Sequence, residues 1–135
     1  MSRALPILAL AALACAANPR PGEPGYAYNV NGTYQASFTV DGNPYAGTLE
    51  ATTAPGGAVA GSFRVTGEVT ASASFAGTVV GDSLTWTGAY TLAEVDCPGT
   101  ISSSGVVAEG GASLAGDLFV VGCDQTYEGI YTASR

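Results

Sequence analysis

The sequence predicts an all-β domain: an eight-stranded antiparallel up-and-down barrel, with a β-sandwich as the alternative. Three observations carry this. Apolar and polar residues alternate from Asn29 onward, short turn-forming connections recur at regular spacing, and each strand places one glycine on its apolar parity. Regular strand-turn spacing of this kind belongs to meanders that close on themselves or stack as two sheets.

The alternation places strands at 31–40, 44–53, 58–66, 68–80, 83–92, 99–107, 112–121 and 124–133. Turn residues separate them: "DGNP", "APGG", "TGE", "GD", "EVDCP", "EGG" and "GC". The first strand puts Tyr34, Ala36, Phe38 and Val40 on one face, against Thr33, Gln35, Ser37 and Thr39 on the other. The second and third give Tyr45, Leu49 and Ala51, then Val59, Phe63 and Val65. The fourth and fifth give Val69, Ala71, Ala73, Phe75 and Val79, then Leu84, Trp86, Tyr90 and Leu92. The last three are sparser: Ile101 and Val107, then Leu114, Leu118 and Val120, then Tyr127 and Tyr131.

Glycine weakens a strand, so a repeated one needs a reason. Gly32, Gly47, Gly61, Gly77, Gly88, Gly105, Gly116 and Gly129 all share the apolar parity. A small barrel needs such positions, because strands bend sharply where no Cβ crowds the interior. Within the strands only Phe119 among the aromatics takes the opposite face. Apolar inward and polar outward is the reverse of a membrane-spanning barrel.

The chain has 135 residues, enough for one domain, with no His or Lys, four Arg and eleven carboxylates, for a net charge of −7. An acidic chain with scattered arginines lacks the basic face that nucleic acid requires.

Residues 1–14 read as a signal peptide: Arg3 in a short n-region, an apolar run from Ala4 to Ala14, then small residues. That run is too short to span a bilayer, which takes about 20 residues. "Ala12-Leu13-Ala14-Cys15" resembles the lipobox of bacterial lipoproteins, whose cysteine becomes the diacylated first residue. The family prefers leucine three residues before the cysteine, whereas Leu13 lies two before it. Ordinary cleavage after Ala14, leaving Cys15 as a thiol, is the other reading. The resemblance implies lipidation at Cys15, and because Ala16 is not aspartate it implies the outer membrane of a cell envelope. Residues 15–28 then form a linker whose prolines should hold it extended, and 29–135 form the barrel domain. The barrel pattern resembles the lipocalin and avidin group, but the lipocalin Gly-x-Trp signature is absent where "NGTYQA" stands. No family binding residues carry over.

With Cys15 assigned to lipid, Cys97 and Cys123 remain. Both precede strands that begin at the same end of an up-and-down barrel, and export permits a disulfide between them. A metal pair would need further Cys or His ligands. The same end collects Asp41, Glu68, Glu94, Asp96 and Asp124, an acidic rim serving solubility or a basic partner. Glu94, Asp96 and Asp124 offer oxygens to a cation but lack EF-hand spacing.

No His or Lys is present for catalysis, and the carboxylates belong to loops and outer faces, so no enzyme is expected. No cofactor motif is present, and "Asn31-Gly32-Thr33" matches a glycosylation sequon with little force in a bacterial lipoprotein. Two functions remain. One is binding of a small apolar or amphipathic molecule beside Tyr34, Trp86, Tyr90 and Tyr127. The other is a structural role, in which a filled barrel presents its acidic rim to an envelope protein. The volume left in the lumen separates them.

Overall fold

The computed structural model describes residues 18–135. The readings at residues 1–14 and at Cys15 lie outside them. Eight strands follow in order: β1 (Gly32–Val40), β2 (Asn43–Thr53), β3 (Ala58–Thr66), β4 (Thr70–Val80), β5 (Ser83–Leu92), β6 (Gly99–Ala108), β7 (Ser113–Gly122) and β8 (Gln125–Ser134). Each pairs antiparallel with its neighbour in sequence, and the sheet closes as a barrel. Closure runs from Gln35 opposite Ser134 to Val40 opposite Gly129. This pairing removes both edges, which a sandwich would have left open.

Strand positions follow the alternation to within two residues. β4 starts at Thr70 rather than residue 68, because the Gly67 amide donates to the Val69 carbonyl and turns the chain there. β7 starts one residue late, after a short 3₁₀ turn over Glu109–Gly111. The β1–β2 turn carries Asp41 and Gly42 at φ 51° and 78°. Two successive left-handed residues suit the twist of a tight hairpin. Cys123 and Asp124 adopt the same conformation between β7 and β8, at 53° and 59°, without a glycine.

Side chains fill the lumen in layers. At the end holding both the N-terminal segment and Arg135, Val30, Val59, Val79, Leu84, Val107 and Leu114 form an aliphatic floor. Above it lies an aromatic layer. Trp86 has its ring centroid 5.0 Å from Phe75, 5.7 Å from Tyr131 and 6.1 Å from Phe63, while Phe38 lies 4.8 Å from Phe63.

The register explains how so many rings fit. Trp86 stands opposite Gly77 on one side and Ser103 on the other. Phe75 lies between Gly61 and Gly88, and Tyr131 faces Gly116. Each large ring takes the space that a small neighbour leaves, and a Cβ at Gly61 or Gly116 would meet the Phe75 or Tyr131 ring within 3.0 Å. Gly32 departs from the expected pattern: it is exposed at the start of β1 with φ 113°.

The segment before β1 also differs from expectation. It is not an extended spacer where described. Arg20 and Glu23 each accept a backbone hydrogen bond three residues on, from Glu23 and Tyr26. Pro21 accepts one from Gly56 in the β2–β3 connection, and Gly22 donates to Asn29 Oδ1 at 2.8 Å. These local partners outcompete the extended conformation that proline favours.

Candidate functional site

The two ends of the lumen are built differently. At the floor end, the Tyr34 hydroxyl donates to the Gly111 carbonyl. Arg135 lies over the Tyr34 ring, 5.6 Å from its centroid, and donates to the carbonyls of Asn31 and Gly110 at 2.6 and 3.1 Å. Thr53 ties the chain on either side of this cap by donating to the Val30 carbonyl and accepting from the Val30 amide. That end is sealed.

The opposite end is open. A cavity of about 400 Å³ descends from the mouth, with Phe38 and Phe63 of the aromatic layer in its wall. Val65, Ala71, Leu92, Ile101 and Val120 add apolar surface from five strands. Tyr45, Tyr90 and Tyr127 supply phenols, and Asp41 and Glu68 stand exposed at the rim. A few hundred Å³ of apolar wall with a few polar groups is the usual form of a small-molecule site.

Of the aromatics expected to bind ligand, Tyr90 and Tyr127 line this cavity. Tyr34 and Trp86 lie lower, in the packed half, and Trp86 is 2% exposed. Its indole N–H donates to the Tyr131 hydroxyl at 3.3 Å. Burial pushes the Tyr131 phenol up, against smaller downward pulls from Trp86 and Ser103. Ser103 Oγ itself, buried beside them, makes no hydrogen bond of good geometry.

Sequence reasoning does not single out Tyr45, Phe38 or Phe63 as ligand contacts. The available signal is position along the strand: Tyr45 lies two residues into β2, just past the β1–β2 turn, at the end where the acidic loops gather.

Tyr45 and Tyr90 remain protonated donors at the mouth. Burial raises Tyr45, with Glu68 and Tyr127 adding to it, and burial also raises Tyr90, with Tyr127 and Tyr45 adding to it. Tyr127 donates to Gln125 Oε1 at 2.7 Å. Tyr90 rests on two small residues: a Cβ at Gly99 would lie 2.6 Å from its hydroxyl oxygen, and Gly122 faces the same atom. Gly99 and Gly122 are themselves paired across β6 and β7.

The disulfide joins Cys97 to Cys123 across a Cα separation of 5.5 Å. It ties the β5–β6 connection to the β7–β8 turn, and Cys123 contributes to the cavity wall. The candidate cation ligands do not converge. Glu94 instead accepts from the Thr70 amide at 2.6 Å, and among the described residues no three His, Cys, Asp or Glu side chains are placed to hold a metal ion.

No protein-family model matches the chain, and no curated protein matches it. Among solved structures, it is similar to EF1p2_mFAP2b bound to DFHBI, with a TM-score of 0.59 and 14% identity over 78% of this chain and 93% of that one. It is also similar to the redesigned β-barrel mFAP1 bound to DFHBI (TM-score 0.56, 14% identity, 78% and 94% covered). A third similar structure, a fluorescence-activating β-barrel designed de novo, gives a TM-score of 0.50 at 14% identity, with 84% and 99% covered. At such identities the likeness shows one thing, the closed eight-stranded antiparallel barrel.

Proposed function

We propose that this protein binds one small apolar or amphipathic molecule in the open half of its barrel, and that it does so as a lipid-anchored envelope protein without catalysing a reaction. The observation that carries the binding function is the half-filled lumen: about 400 Å³ of largely apolar wall above a sealed aromatic layer. A barrel kept only for its outer surface has no need of an opening lined by Phe38, Phe63 and three tyrosines. Similar barrels bound to DFHBI support the capacity of this architecture to hold a ligand. The anchor rests on the lipobox-like stretch ending at Cys15, and placement at the outer membrane rests on Ala16 following it.

The test is a titration with the neutral fluorescent probe N-phenyl-1-naphthylamine. Saturable enhancement at one site per chain is expected. Ala71→Phe, which fills the cavity from its wall, should weaken that binding at least about tenfold, or about 1.4 kcal/mol, while leaving the sheet signal in circular dichroism intact. Absence of saturable binding, or binding indifferent to Ala71→Phe, would reject the cavity as the site and leave the acidic rim as the working surface.

A further inference from the structure

We propose that the cavity selects apolar ligands that carry a positive charge, with the apolar body in the lumen and the cationic group at the mouth among Tyr45, Tyr90 and Tyr127, facing Asp41 and Glu68. This rests on the cavity being a small-molecule site and names the ligand class it takes.

The charges of the molecule argue for it from both sides. The described arginines are Arg20, Arg64 and Arg135, and none lines the cavity. Arg135 is held at the sealed end by Asn31 and Gly110. Arg64 lies on the exposed outer face of β3, and Arg20 lies in the segment before β1. A ligand carboxylate at the mouth would therefore find no cation to pair with, and it would face carboxylates of its own sign. The full charges on the cavity's lining are Asp41 and Glu68, both negative and both at its mouth. Glu94, Asp96 and Asp124 belong to connections at the same end.

The mouth also supplies what a bulky, weakly hydrated cation prefers. Three aromatic rings, from β2, β5 and β8, line the upper cavity, and ring faces attract cations through their quadrupole. Burial raises the Tyr45 and Tyr90 phenols, which stay neutral, so the negative charge on the lining comes from Asp41 and Glu68. Below them the wall becomes apolar at Val65, Ile101 and Val120. Polarity thus runs from anionic rim through aromatic collar to hydrocarbon base.

The experiment compares three displacers of N-phenyl-1-naphthylamine with the same alkyl chain: decyltrimethylammonium, decanol and decanoate. Using the intact protein at neutral pH, the ammonium should displace the probe at about tenfold lower concentration than the alcohol, with decanoate weakest. Glu68→Gln and Tyr45→Leu, both at the mouth, should each shrink the ammonium-to-alcohol ratio by about threefold or more. Asp82→Asn, at the sealed end, should leave it unchanged. Equal displacement by all three compounds, or tighter binding of decanoate, would overturn the charge selectivity while leaving the cavity as a binding site. Ammonium binding that survives Ala71→Phe would also overturn it, by placing the cation elsewhere. Failure of the probe itself to bind would instead reject the site on which the proposal rests.

Discussion

Gly88 stands between Trp86 and Tyr90 on the inner parity of β5, opposite Phe75 of β4. A Cβ placed there would come 2.6 Å from the Ser74 carbonyl oxygen and 3.1 Å from Phe75 Cβ. The first of these is backbone held in the sheet and cannot swing aside. Gly88→Val should therefore destabilise the protein by more than about 2 kcal/mol, through overpacking and strain. Thr87→Val, one residue away on the exposed face, should be nearly neutral, since a β-branched residue suits an outward strand position. Denaturant midpoints of the two variants check this. Comparable damage from both, or greater damage from Thr87→Val, would mean that the inner and outer faces are misassigned. The inward parity of Gly88 was legible from Trp86 and Tyr90 alone. What it makes room for was not, because its neighbour Phe75 is set by the register between strands.

At the level of strands and connections, the disulfide is the clearest test. It links the residues just before β6 and just before β8, so it ties two loops of the mouth and leaves the ladder itself untouched. Closing a loop of this length stabilises the fold by roughly 3–4 kcal/mol on the chain-entropy model. Reduction should lower the thermal midpoint while the sheet signal persists at room temperature, and it should weaken probe binding because Cys123 lines the cavity. Two alkylatable thiols in the native protein would refute the bridge. Strand positions were legible because a two-residue period is a local property, and glycine, proline and aspartate mark where it breaks. Depth within the barrel was not. Trp86 and Tyr90 share a parity and a strand, yet they lie four residues apart, about 13 Å along the strand axis. One is packed beneath the cavity and the other lines it, and alternation reports the face but not the layer.

For the whole molecule, the segment leading from the proposed anchor packs at the sealed end, where Pro21 accepts from Gly56 and Gly22 donates to Asn29. The open mouth lies at the opposite end of the barrel, so an anchor at Cys15 would hold it facing away from the bilayer. If Cys15 carries the lipid, the processed protein should partition with membranes into detergent, and Cys15→Ser should release it as soluble or unprocessed chain. Equal membrane partitioning of a processed Cys15→Ser variant would remove the anchor from the account.

The edge-on and tilted rings of Phe63, Phe75, Trp86 and Tyr131 also make the lumen a dead end. A molecule that enters at the mouth has no exit below and must back out along the route by which it came. On the proposed function, the barrel would be a receptacle and not a conduit. If the proposed ligand binds there, its entry and its release share one doorway, past the Asp41 and Glu68 carboxylates.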